Sequence, residues 1–282
     1  VTPPSTLNYH MRTRERSVLK QQEVPGYDPS LYGSERLHAT AADGTQIPIS
    51  LIYRKDAWEA RESQPVPMML YGYGSYGVCV DPSFSSSRLP LLDRGMAYAI
   101  AHVRGGGEMG RSWYEEHGKY TTKRNTFTDF VECAKHLQAI GYTSPSQLAI
   151  TGRSAGGLLV GAVLNMAPEL FKVAIAGVPF VDLMVTMCDA TIPLTVTEWE
   201  EWGNPNNATY YEYMKSYSPM DNIKPADLPA LLVTAGLFDP RVAYWEPAKW
   251  VARLREAQTN DAPIILKMDL DSGHFSASDR YK

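Results

Sequence analysis

At 282 residues the chain is long enough for one large α/β domain with a sizeable buried core. An apolar fraction of 44% and a charged fraction of 21% exclude disorder and fibrous repeats, and a net charge of −4 gives no global attraction to nucleic acid or an anionic membrane. Cys79, Cys133 and Cys188 are an odd, scattered set without a C-x-x-C pair, which argues against a disulfide framework or thiolate metal site and points to a reducing, cytoplasmic setting. No run is long and apolar enough to span a bilayer, and no cofactor is implied.

Residues 1–33 mix charge, Pro and Tyr without a sustained period and read as an arm or linker with one short strand over 17–24. From residue 34 to 282 the pattern is that of a single catalytic-sized domain. Strand-like runs over 36–40 and 47–54 flank Ala42-Asp43-Gly44-Thr45, which predicts a hairpin turning at Asp43-Gly44. Short apolar runs at 68–72, 97–103, 148–151, 173–178, 230–234 and 264–268 suit strands buried on both faces. Helical spacing of apolar residues appears over 128–140 (Phe130, Val131, Ala134, Leu137, Ile140) and 245–257 (Val251, Leu254). Strands alternating with helices predict a mostly parallel central sheet with helices on both faces. Residues 180–228, rich in Tyr, Trp, Glu, Asn and Pro, break this rhythm and read as an insertion over the end of the sheet where open α/β sheets bind ligands.

The strand-like run ending at Thr151 leads into Gly152-Arg153-Ser154-Ala155-Gly156-Gly157 and then into a strong helix former over 158–166. This is G-x-S-x-G between a strand and a helix, the context of an α/β-hydrolase nucleophile turn. A serine at such a tip is lifted clear of the sheet, and the glycines leave room where a Cβ would meet the neighbouring backbone. In this arrangement the acid and then the histidine follow, each in a loop after a later strand. Asp239 follows the run at 230–234, and His274 follows the run at 264–268. A serine hydroxyl is a weak nucleophile until an imidazole takes its proton, and a carboxylate fixes the tautomer of that imidazole. For Asp239 alone, capping the helix over 245–257 is the competing role. Of the other histidines, His10, His38, His102 and His136 lie in an arm, strands or an amphipathic helix, and His117 is a distant second candidate.

Four stretches then carry a resemblance: Tyr71-Gly72-Tyr73-Gly74-Ser75-Tyr76-Gly77, His102-Val103-Arg104-Gly105-Gly106-Gly107-Glu108, Gly141-Tyr142-Thr143-Ser144-Pro145, and the Ser154 turn. Together, and collinearly from about Tyr9 onward, the chain resembles the prolyl oligopeptidase family of serine peptidases, and within it the oligopeptidase B branch. The resemblance implies an oxyanion hole made by the Tyr73 hydroxyl and the backbone N–H of Ala155. It also implies that Glu198 and Glu200, in Glu198-Trp199-Glu200-Glu201-Trp202, pair with an Arg or Lys side chain of a short peptide substrate. Two carboxylates can hold a guanidinium bidentately, although a solvated acidic helix face has the same composition. Asp81 matches an acidic position that helps to hold a second basic residue in relatives, Arg241 one that binds a substrate carbonyl or makes a salt bridge, and Tyr76 lies among the substrate-binding positions. Arg104 to Glu108 lacks phosphate-loop spacing and reads as a structural turn.

The family also carries a β-propeller over its active site, and no blade-like stretch of short alternating strands is present here. The chain, opening on Val1-Thr2-Pro3-Pro4, therefore reads as the catalytic piece of a longer protein or as a reduced form without its lid, with a propeller domain or chain as its implied partner. Besides a peptidase cutting after Arg or Lys, two readings stand: an enzyme of broader specificity on the same triad (prolyl-directed peptidase or esterase), and a silent module that binds peptides or a partner.

Overall fold

A computed structural model of the chain describes residues 2–59 and 64–275. The arm contains a two-stranded hairpin, β1 (Ser5–Tyr9) against β2 (Arg16–Gln21), exposed along its whole length. The strand predicted over 17–24 overlaps β2 but overruns its end by three residues, whereas β1 has no periodic apolar residues to announce it. β3 (Tyr32–Thr40) and β4 (Gln46–Arg54) form the expected hairpin, with Gly44 at φ +84° and Asp43 accepting the Thr45 N–H at 3.0 Å.

There follow α1 (Lys55–Glu59), β5 (Met68–Tyr71), α2 (Leu89–Leu92), β6 (Ala97–Ala101), α3 (Arg111–Glu115), α4 (Arg124–Ala139), β7 (Leu148–Arg153), α5 (Ala155–Met166) and β8 (Val173–Gly177). Then come α6 (Leu183–Cys188), α7 (Thr195–Trp202), α8 (Ala208–Lys215), β9 (Ala230–Gly236), α9 (Trp245–Ala257) and β10 (Ile264–Asp269). Eight strands make one sheet in the order β10-β9-β8-β7-β5-β6-β4-β3, antiparallel only where β4 meets β3 and β6. The remaining pairs are parallel, so the fold is an α/β-hydrolase with a mostly parallel sheet. In the central strands Met68, Leu70, Leu148, Ile150, Ala174 and Val233 are buried, as continuous apolar runs require when both faces are covered. The helix after Ser154 is apolar all round and buried from Ala155 to Leu164.

α4 begins four residues before its apolar period. Its first turn is polar yet docked: Thr126 is buried and donates its hydroxyl to the Arg104 carbonyl at 2.6 Å. Arg104 itself donates to Asp129 of α4 at 2.9 and 2.7 Å and to Asp43 of the hairpin turn at 2.5 Å. The tri-glycine stretch thus follows an ionic tie between the hairpin, its own loop and α4, buried at Arg104 and Asp129 and open to solvent at Asp43. A Cβ on Gly105 would lie 2.1 Å from the Gly74 carbonyl oxygen, so this loop also presses on the Tyr-Gly turn.

Parallel strands β7, β8, β9 and β10 lie side by side, and the loops leaving them emerge at one end of the sheet. The segment 180–228 forms α6, α7 and α8 between β8 and β9. No helix among the described residues is long and apolar enough to cross a membrane.

Candidate active site

Ser154 stands between β7 and α5 at φ 58° and ψ −119°, a conformation rarely held by a residue with a side chain. The surroundings over-determine it. Its N–H donates to Gly177 at 2.9 Å, and its carbonyl accepts the N–H groups of Gly157, Leu158 and Phe180 at 2.8, 3.1 and 3.2 Å. A Cβ on Gly152 would come within 2.1 Å of the Gly156 carbonyl oxygen, and one on Gly156 within 2.8 Å of the Gly72 carbonyl oxygen. Ala155 opens α5, so its N–H is among those with no acceptor inside the helix and lies at the positive end of the helix dipole.

The loops after β9 and β10 are stitched together by Leu237 N–H to Asp269 at 2.9 Å and Phe238 N–H to Ser272 at 3.1 Å. Asp239 Oδ2 lies 2.7 Å from His274 Nδ1, and both side chains are buried. The other carboxylate oxygen accepts the backbone N–H groups of Arg241 and Val242 at 2.8 and 2.9 Å. Burial works against the charge on Asp239, but the hydrogen bonds from His274 and the two amides outweigh it and hold the carboxyl below its ordinary pKa. Asp239 does not cap α9, whose N-cap is Tyr244. Arg153, the neighbour of Ser154, donates to the His274 carbonyl and ties the serine turn to the histidine loop.

Ser154 and Ala155 open onto a cavity of about 340 Å³ that is also lined by Tyr73, Tyr76, Glu198 and Arg241. The walls include Val78, Phe180, Met187, Leu194 and Val242, giving an apolar lining around one carboxylate. Burial, with smaller contributions from Tyr71 and the carboxylates of Glu201 and Glu198, pushes the Tyr73 pKa to about 12, so its hydroxyl keeps its proton. Glu198 Oε2 accepts the Tyr76 hydroxyl at 2.7 Å and the Trp202 indole N–H at 2.9 Å. Burial first, and then this carboxylate, raise the Tyr76 pKa.

Glu200 lies elsewhere. Residues two apart on an α-helix point in nearly opposite directions, and the Glu200 side chain is exposed, accepting the Tyr120 hydroxyl at 3.1 Å with Lys119 at 4.0 Å. The expected joint grip of Glu198 and Glu200 on one guanidinium is therefore not what this arrangement offers. Asp81 is exposed and does not line the cavity. Arg241 lines it without a carboxylate partner among the described residues, its guanidinium 5.9 Å from the Phe275 ring centre. His117 is exposed and away from the cavity.

Two residues behind the cavity wall escape sequence reasoning. Glu201 and Lys123 are both buried and form an ion pair at 3.0 Å. The spacing of Glu201 from Glu198, three residues on one helix, is the signal that puts both on one face, whereas nothing local marks Lys123.

Residues 82–282 match the prolyl oligopeptidase family. The chain belongs to that family. Its likeness to individual members extends over all 282 residues: 51% identity to dipeptidyl aminopeptidase BI of Pseudoxanthomonas mexicana and 50% to protease 2 of Moraxella lacunata. The chain spans only 38% and 40% of the length of those two proteins. Among solved structures, oligopeptidase B from Leishmania major superposes with a TM-score of 0.94 at 59% identity, over 100% of this chain and 39% of that one. A prolyl oligopeptidase family domain is thus present together with the serine turn, the acid–histidine pair and the cavity beside them.

Proposed function

We propose that the protein is a serine peptidase that cuts short peptides after Arg or Lys through an acyl-enzyme, with Ser154 as nucleophile, His274 as base and Asp239 as its orienting acid. The observation that carries the substrate assignment is Glu198. Its carboxylate faces the cavity of Ser154, and its Oε2 is taken up by Tyr76 and Trp202, which leaves Oε1 for a cationic side chain. An apolar slot for proline would not place a carboxylate there. The naming of the Leishmania neighbour as oligopeptidase B supports the same reading.

In this mechanism Ser154 Oγ attacks the peptide carbonyl while its proton passes to His274 Nε2. The carbonyl oxygen becomes an oxyanion held by the Tyr73 hydroxyl and the Ala155 N–H. Collapse expels the amine, which takes the proton from His274, and water then repeats the sequence to release the acid. Asp239 stabilises the imidazolium without accepting its proton. Arg241, at the mouth, is assigned to the substrate backbone carbonyl. Asp81 is assigned to the rim outside the cavity.

Because the chain covers about two fifths of its relatives, we also assign residues 34–282 to a catalytic domain that works with a further domain, a β-propeller, covering the insertion at 180–228. The arm at 1–33 is then the connection. Three free cysteines, among them exposed Cys79 and Cys188, suit a reducing cytoplasmic setting.

The test is hydrolysis of peptides that vary only before the cut bond, by wild type, Glu198→Gln and Glu200→Gln. The Glu198→Gln variant loses ten- to a hundredfold in kcat/KM on Arg and Lys substrates and little on uncharged ones; Glu200→Gln stays within threefold. Equal retention by Glu198→Gln would remove the specificity assignment. The Pseudoxanthomonas relative's name brings a second reading, release of dipeptides from a free amino terminus. Blocking that amine separates the two: a peptidase of the first kind still cuts, one of the second does not.

A further inference from the structure

Glu198 and Glu201 grip one residue at both ends. Tyr76 donates its hydroxyl to Glu198 at 2.7 Å and its backbone N–H to Glu201 at 3.1 Å. That backbone is left-handed, at φ 59°, and for a tyrosine such a conformation persists only when its surroundings hold it. Behind Glu201 sits Lys123, with no exposed side-chain surface, at the start of α4. It donates to Glu201 at 3.0 Å, to the Gly74 carbonyl at 2.6 Å and to the Ser75 hydroxyl at 2.8 Å. Tyr114 donates to the other Glu201 oxygen at 2.6 Å. The Lys123 ammonium lies 4.9 Å from the centre of the Trp202 ring, whose N–H donates to Glu198, so the cluster closes on itself.

A buried ion pair is weak ground for stability, since an apolar pair of like volume serves a core as well. What an apolar pair cannot do is hold the Gly74 carbonyl, the Ser75 hydroxyl and the Tyr76 N–H in place together. We infer that Lys123 and Glu201 are positioning residues that lock the Tyr73–Tyr76 turn to α7, fixing the oxyanion donor Tyr73 in register with the substrate-binding carboxylate of Glu198. This rests on the peptidase reading above. Its consequence is that damage to the pair acts through Tyr73: turnover falls while ground-state binding changes little.

The experiment is a double-mutant cycle on kcat and KM, normalised to the fraction of protein that a fluorophosphonate labels. Lys123→Met with Glu201→Leu removes both charges and leaves no orphan ion. Expected is a fall in kcat of ten- to a hundredfold with KM within threefold. Adding Tyr73→Phe, which alone costs about a hundredfold or more, then costs under tenfold, because the hydroxyl is already out of place. An undiminished Tyr73→Phe loss in the charge-free background overturns the inference. Should that background not fold, Tyr114→Phe, which deletes the hydroxyl that Glu201 accepts at 2.6 Å, enters the same cycle with the same criterion: a smaller Tyr73→Phe loss supports it, full additivity contradicts it. Running the cycle on a simple acyl ester as well keeps the outcomes apart. Absence of Arg and Lys preference in wild type sinks the substrate reading, whereas additivity on the ester sinks the positioning role.

Discussion

Both carboxylate oxygens of Asp239 are engaged: one meets His274, and the other takes two amides that fix the carboxylate itself. The Tyr73 hydroxyl, its pKa pushed to about 12 chiefly by burial, faces the same cavity as Ser154 and keeps the proton it has to donate. Removing that donor alone, by Tyr73→Phe, should lower kcat by about 10²–10³ with KM nearly unchanged, and Asp239→Asn should lower it by about 10⁴. Steady-state kinetics on one good substrate checks both; a Tyr73→Phe effect confined to KM would move that residue from oxyanion to ground-state binding. At this scale the sequence is most legible where chemistry demands order and loop position together. Asp239 and His274 were readable as the loops after two successive strands, and they meet. For Glu198 and Glu200 the resemblance implies a shared grip on a basic side chain, and that Glu200 turns outward was not legible, because it depends on how α7 docks. Lys123 carried no signal at all, being a lone lysine whose burial is decided by a helix nearly eighty residues further on.

Elements matter because they transmit burial to single groups. Glu246, in the first turn of α9, is buried and accepts the Thr186 hydroxyl at 2.6 Å and the N–H groups of Val181 and Asp182 at 3.2 and 3.1 Å. It ties α9 to the segment leading into α6 and to Thr186 in the second half of that helix, where Thr186 and Met187 line the cavity. Burial outweighs those hydrogen bonds and lifts its pKa from 4.5 to about 7. The folded state then keeps a proton that the unfolded chain releases, so this contribution to stability is full below pH 4.5 and is lost as pH rises through 7. Wild type should therefore lose stability between pH 5 and 8 relative to Glu246→Gln, whose amide cannot ionise. Melting temperatures of the two proteins across that range test it, and parallel curves would refute it. The helix over 245–257 was legible to the residue, since its apolar stripe is regular. The start of α4 was not, because Thr126 is held by a carbonyl from a distant loop, and β1 was not, because an exposed hairpin strand needs no apolar alternation.

Across the whole molecule, the strand order sets which loops lie side by side, and alternation of apolar runs with helices was enough to read a mostly parallel sheet covered on both faces, though not the order of its strands. The tie of Arg104 to buried Asp129 and exposed Asp43 was not readable, since it joins a hairpin turn, a glycine loop and a helix far apart in the chain. Arg104→Met leaves Asp129 buried without its cation and should cost about 3–5 kcal/mol, while adding Asp129→Leu should restore a large part of it. Chemical denaturation of the three proteins gives the comparison, and a neutral single variant would show the tie to be dispensable. The glycine loop of the tie also packs closely against the turn that carries Tyr73, since a Cβ on Gly105 would lie 2.1 Å from the Gly74 carbonyl oxygen.

The proposed activation of Ser154 by His274 depends on loops at one end of the sheet. Its most direct measurement is the intact mass and peptide map of the protein after exposure to a fluorophosphonate. One adduct on Ser154 in wild type, and none at equal exposure in Ser154→Ala or His274→Ala, is the predicted result. An unmodified wild-type serine, or labelling of Ser154 that persists at full rate without His274, would contradict it.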